Sequence, residues 1–480
     1  MNLRRTLHSL AVVLGILAGA QVVPLVLSIY AGETGGTLGF LVGAGVTALA
    51  GVACRYFGHA EGDLFRREGV LIVVGSWLFA SLSGAIPYLV SGAISSPIDA
   101  LFESASGFTT TGASILVDIE SLGSGLLFWR SLTQWLGGVG IVVLFVALLG
   151  ELGPGARFLF RLEVPGPKAE ILHARVRETA LTILRIYLVM SALEVVVLLL
   201  CGLSLYDALT HTFSTVSTGG FSPYADSMGH FSVAAQLVVT IFMLGAGVNF
   251  SLYYMMLRRR DAVVFRDSEL RFYAALVVAS VIVVSFTLIG AGGLQKGRPL
   301  LDALFQVASI TTTTGFTTVD FDAWPDALKI LLLMLMVVGG CAGSTAGGAK
   351  VSRLIVGFKA TLREVRLTFS PNAVIAITIG GRAFPNESVR SVLGFLVLWV
   401  LTWAVGALLL AVGDTGIVTA ATASIATLAN IGPGLAGVGP SENYAFFAAW
   451  QKVLMILLML LGRLEFFALL AIFLRSFWRR

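Results

Sequence analysis

Hydrophobic and polar positions alternate along this chain in long blocks, not at the short periods of a soluble fold. Apolar runs of about the 20 residues that a crossing needs fall at 7–30, 36–57, 70–91, 126–150, 179–203, 232–257, 271–293, 327–356, 389–412 and 446–475. The pattern predicts ten spans. After the third, fifth, seventh and ninth comes a shorter apolar stretch ending at a glycine, with the length of a re-entrant element and not of a crossing.

Those four stretches repeat one another. The segments from Asp99 to Gly112 and from Asp302 to Gly315 share Asp-Ala-Leu-Phe at one offset and Thr-Thr-Gly at another. The segment from Asp207 to Gly219 reads as the same element one residue shorter, and Val418 to Gly432 as a degenerate copy. Span, half-helix, tight loop and span therefore recur four times. Irregular backbone at membrane depth survives only inside protein or along a water-filled cavity, so the four loops are expected to converge on one axis, a pore. The fold class that follows is an all-α polytopic membrane protein. It has ten transmembrane helices, arranged as four pseudo-symmetric helix, pore loop, helix repeats around one pore plus two extra N-terminal helices. The expected units are 1–62, then repeats at 63–165, 166–262, 263–372 and 373–480.

Composition agrees with lipid as the solvent. Of the 480 residues 57% are hydrophobic and 12% charged, against about a quarter charged in soluble domains. Mean hydropathy is +0.90. Cys54, Cys201 and Cys341 lie far apart without a metal or disulfide spacing. Most of the 32 Lys and Arg fall in alternate loops and at the two termini, which places both termini in the cytoplasm by the positive-inside rule. Acids such as Asp99, Glu103, Asp118, Asp207, Asp322 and Glu442 gather in the opposite loops. They are either a solvated face or a vestibule that concentrates cations.

The loop residues suit a dehydrating cation, which must exchange water for other oxygens. Thr110, Thr111, Ser217, Thr218, Thr313 and Thr314 offer hydroxyls and carbonyls. Gly112, Gly219, Gly315 and Gly432 allow the φ values that aim carbonyls inward. Asn430 and Ile431 complete the fourth loop without hydroxyls. Each half-helix turns its negative dipole end toward the cavity. An enzyme is not expected, since the five histidines are scattered and no metalloprotease motif occurs.

Two further features stand out. Gly339, Gly340, Gly343, Gly347 and Gly348 interrupt the eighth span, and each costs a helix roughly 1 kcal/mol. With Ser344, Thr345 and Lys350 they form either a cavity-lining loop or a close-packed helix contact. Arg463 sits in the tenth span, as a functional charge or as a structural partner of Glu194.

The Thr-Thr-Gly loops, the segment Trp129 to Gly138, the loop Gly339 to Lys350 and the segment Leu461 to Glu465 together resemble the Trk/Ktr/HKT superfamily of potassium transporters, in its Trk branch. The resemblance spans essentially the whole chain. It implies a bacterial inner-membrane potassium-uptake protein, dimeric, controlled by a cytosolic nucleotide-binding ring subunit. Potassium is then the transported ion, with no cofactor and no nucleic-acid partner. The resemblance also makes the loop from Gly339 a gate below the filter and puts Arg463 at the pore. Coupling to protons or sodium in a secondary symporter stays open as the alternative.

Overall fold

The computed structural model describes residues 2–59, 66–140, 176–259, 264, 266–290, 298–379, 382–464 and 466–478. Helices Leu3–Ala20 and Val22–Tyr30 run on as one 28-residue span, and Thr34–Phe57 packs back along it. The latter buries Gly36, Gly39, Gly43, Thr47 and Gly51 while Leu41, Leu49 and Val52 face outward. Small residues let backbones approach: a Cβ on Gly39 would lie 2.7 Å from the Pro87 carbonyl oxygen. That is how helices pack when lipid, not water, surrounds them.

Six helices among the described residues are long and apolar enough to cross a bilayer unbroken, and a bent pair makes a seventh. The chain is a multi-pass membrane protein. The expected fourth span begins as Ser124–Val139, and its remainder past Gly140 lies outside the described residues. Two expectations of straight spans fail. The run 232–257 turns by 92° between Val233–Ala246 and Phe250–Met256. Arg463 ends the helix Ala449–Arg463, and the chain kinks at Phe466 (φ 57°) before a short helix Phe467–Phe473. The eighth span breaks as its glycines foretell, Asp326–Val338 giving way to a loop and then to Val351–Phe369. A two-residue antiparallel pair, Thr378–Ile379 with Arg382–Ala383, precedes helix Asn386–Ala411.

Four half-helices occupy the middle: Pro97–Phe108, Leu205–Val216, Pro299–Thr311 and Ile417–Leu428. At 1.5 Å per residue each is about 18 Å long, a little over half the hydrocarbon thickness. Ser96 and Ser204 cap two of them through Asp99 N–H and Asp207 N–H, and Pro299 starts the third at N1, where no hydrogen bond is forfeited. The protein centre is accordingly hydroxyl-rich. Thr109, Thr111, Thr215, Thr311, Thr313, Thr314 and Thr427 are fully buried, whereas the long spans expose aliphatic side chains such as Leu49, Val278 and Leu401.

Candidate ion pathway

Each half-helix ends in the same three-residue loop. The loop opens with a left-handed residue that is not glycine: Thr110 (φ 54°), Thr218 (57°), Thr313 (57°) and Asn430 (55°). It closes on a left-handed glycine: Gly112, Gly220, Gly315 and Gly432. Between them the middle residue donates its N–H back into the half-helix, Thr111 to Ser106 O, Gly219 to Ser214 O, Thr314 to Ser309 O and Ile431 to Ala426 O, at 2.8–2.9 Å. The left-handed form costs an L-residue roughly 1–2 kcal/mol. Four such residues in register mark backbone held for a purpose.

The loops close into a ring. A Cβ on Gly112 would collide with the Gly219 carbonyl oxygen, one on Gly220 with Thr314 O, one on Gly315 with Ile431 O, and one on Gly432 would come within 2.8 Å of Thr111 O. Each closing glycine thus abuts the middle carbonyl of the next loop, in chain order and back to the first. Four half-helix C-termini surround one point, and their partial negative charge favours a cation there.

This geometry corrects the expected register of the second loop. Gly220, not Gly219, stands where Gly112, Gly315 and Gly432 stand, and Ser217 caps the half-helix instead of opening the loop. The loop is therefore Thr218-Gly219-Gly220. The signal was present in the sequence: Asp99, Asp207 and Asp302 each precede the ring glycine by the same interval once Gly220 is chosen, so no residue is missing.

Above the ring, on the side where the half-helices begin, lies a cavity lined by Ser114, Arg130, Tyr224, Glu442, Asn443 and Tyr444 together with ring glycines. Glu442 is the one carboxylate among its described lining residues. Glu103 is withdrawn from any acidic vestibule, because it is fully buried and paired with Arg130 at 2.8 Å, and its oxygens also accept from Ser114. Arg130 donates further to Ser222 O, and Tyr444 donates to Gly432 O at 2.6 Å. Asp99 likewise pairs with Lys452 at 2.7 Å. The Tyr224 phenol is pushed up to about 12, first by burial and then by its hydrogen bond to Asp207, so at neutral pH it stays a donor.

Below the ring runs the glycine-rich loop. Gly347 N donates to Thr313 Oγ1 at 2.6 Å, Gly348 N to Ala429 O at 3.0 Å, and Thr345 Oγ1 to Val216 O at 3.0 Å and Ala246 O at 3.2 Å. It touches the bases of the second, third and fourth half-helices. Arg463 joins it to the helix Ser124–Val139, donating to Thr345 O at 2.9 Å and to Gly137 O at 2.7 Å beside the Trp77 ring. These guanidinium donors go to carbonyls, while Glu194 is buried apart from them beside Thr215. The Glu194 alternative for Arg463 is set aside on that geometry.

Gly339, Gly343 and Gly348 take left-handed φ values, and so does Lys350, whose ammonium folds back onto Ala346 O. Lys350 is buried and belongs to the loop, not to the exposed basic helix after it. Gly340 O accepts from Val351 N, and Ser344 Oγ closes a turn on Cys341 O. Glu269, absent from sequence reasoning, holds both ends of the loop by accepting from Ala342 N at 2.7 Å and Ser352 N at 3.2 Å. Only tertiary contact brings it there.

Comparison with known proteins agrees with this architecture. The chain is 39% identical to a Trk system potassium uptake protein TrkH of Halomonas elongata over the full length of both, and 40% identical to TrkH of Escherichia coli over 87% of each chain. The crystal structure of the potassium transporter TrkH from Vibrio parahaemolyticus superposes with a TM-score of 0.88 at 34% identity, covering all of both chains. A family described as TrkH, cation transport protein, matches residues 43–479. With four half-helices closing a ring at the centre of a helical membrane protein, and with these similarities, the chain belongs to the TrkH family of cation transport proteins.

Proposed function

We propose that this protein takes up potassium across a bacterial cytoplasmic membrane through the ring of four loops, Thr110–Gly112, Thr218–Gly220, Thr313–Gly315 and Asn430–Gly432. The observation that carries the proposal is the closed order of contacts from each ring glycine to the next loop's middle carbonyl. Backbone held in that way is a preformed oxygen cage, and a cation that sheds water into it needs no protein reorganisation. Half-helix dipoles add attraction for positive charge and exclude anions. The protein is a transporter and not an enzyme.

The glycine-rich loop is the gate. In the conformation described it spans three half-helix bases and is tied to the first repeat by Arg463, whose charge lies where a cation leaving the ring would pass. Opening requires those hydrogen bonds to part. The loop runs directly into Val351–Phe369, which carries Arg353, Lys359, Arg363 and Arg366 and exposes Phe358 and Phe369. This helix lies on the cytoplasmic side by the positive-inside rule. It is the natural lever for a cytosolic nucleotide-binding ring subunit, in keeping with relatives that are named as parts of a Trk system. The four-repeat organisation, both termini in the cytoplasm and a homodimeric assembly belong to the same proposal.

The test is ionic flux through purified protein in liposomes. Reversal potentials under potassium, sodium and chloride gradients should give a potassium-selective, anion-excluding conductance. Equal permeability to potassium and chloride would overturn the proposal.

A further inference from the structure

The middle residues of the first and third loops brace themselves. Thr111 Oγ1 lies 2.8 Å from Thr109 Oγ1, and Thr314 Oγ1 lies 2.7 Å from Thr312 Oγ1. The second loop has Gly219 at that place and no hydroxyl to offer. Its φ is not among the left-handed ones, so its backbone does not require glycine. What excludes a side chain is Gln134, from the helix Ser124–Val139 that follows the first loop.

The Gln134 amide fills the space. A Cβ on Gly219 would land on its amide carbon and come within 2.6 Å of Oε1. Nε2 donates to the Gly219 carbonyl oxygen at 2.7 Å, and Oε1 accepts from Phe221 N–H at 3.0 Å. Gln134 is wholly buried. One amide therefore grips the second loop on both sides of Gly220, and the carbonyl it grips is the one that Gly112 of the neighbouring loop abuts.

We propose that Gln134 is the positioning residue of the second filter loop. It supplies from the adjacent repeat the brace that threonine hydroxyls supply in the first and third loops, and it sets the discrimination between potassium and sodium. The inference rests on the ring being the selectivity filter. The two ions differ in how closely oxygens must gather around them, so a carbonyl released from its donor shifts the balance toward the smaller ion.

The experiment compares potassium-to-sodium permeability ratios, from reversal potentials in liposomes, for Gln134→Ala, Gly219→Thr, the double variant and Gly112→Ser. Each single change at 134 or 219 should lower the ratio about tenfold, the scale set by a buried hydrogen bond left unmade. The double variant removes the amide and adds a hydroxyl in the space it vacates, and it should return to within about twofold of the parent. Should Gln134→Ala fail to fold, Gln134→Met keeps the length and volume while losing the donor to Gly219, and it should show the same loss. If Gly112→Ser changes the ratio while both Gln134 variants keep the parent value, or if the double variant is no better than the worse single one, the proposal is overturned and the filter survives. If none of the variants, Gly112→Ser included, moves the ratio, the filter assignment falls and takes this inference with it.

Discussion

Replacing Gly220 by alanine tests the register of the second loop directly. The residue has φ +75°, and a Cβ there collides with the Thr314 carbonyl oxygen and lies 3.0 Å from its carbonyl carbon. Left-handed backbone costs alanine roughly 1–2 kcal/mol. The collision adds about 1–3 kcal/mol of overpacking, because both struck atoms are backbone and Thr314 is itself tied to Ser309 O at 2.9 Å. With every 1.4 kcal/mol worth about tenfold, even the lower sum of about 2 kcal/mol shifts the balance from native to distorted ring roughly thirtyfold. Potassium uptake into liposomes should fall accordingly, with a permeability ratio near unity in whatever flux remains. Gly219→Ala meets the Gln134 amide and no backbone atom, so it should cost less flux, a steric cost that Gln134→Ala relieves without restoring selectivity. The reasoning fails if Gly220→Ala keeps parental flux and selectivity while Gly219→Ala abolishes flux regardless of residue 134.

Gly112→Ser places a Cβ against Gly219 O and should lower potassium-to-sodium selectivity about tenfold or more by the same left-handed penalty, read as a reversal-potential shift. Arg463→Ala removes two charge-assisted bonds, each worth about 1.5–3 kcal/mol, and should raise single-channel open probability at least about tenfold. Arg463→Lys keeps the charge without the fork and should fall between, whereas unchanged gating in both would detach Arg463 from the gate. Thr345→Val loses the bonds to Val216 O and Ala246 O at about 1 kcal/mol and should open the channel roughly fivefold more often with selectivity unchanged. Arg130→Leu strands the buried Glu103 charge and should cost about 3–5 kcal/mol, visible as a lowered melting temperature in detergent; a parental melting curve would refute the ion pair's role.

The six unbroken spans, the half-helices and the glycine break after Val338 were legible in the residues themselves, because each depends on local hydropathy, length and helix-stopping glycine. The ring itself was foreseeable as soon as four re-entrant elements had to hide their backbone from lipid. Register was harder: Thr218-Gly219-Gly220 offers two adjacent glycines, and only contact with Thr314 O selects the second. The 92° turn after Ala246 is marked by Gly245 and Gly247, yet a hydropathy window averages across it, and its partner is the Cys341 N–H that bonds Gly247 O from the glycine-rich loop. Arg463 was visible as a charge among apolar residues, but its place at a helix end between Thr345 O and Gly137 O was not. Gln134 lay inside the Trp129 to Gly138 segment that carried the resemblance, but nothing in that segment told which loop its amide would meet, and Glu269 gave no signal at all. Hydropathy and helix termination act between neighbours in the chain, and these the sequence alone decides. Which carbonyl a buried amide, carboxylate or guanidinium meets is decided by segments 70 to 330 residues apart, which only the tertiary structure brings within hydrogen-bond reach.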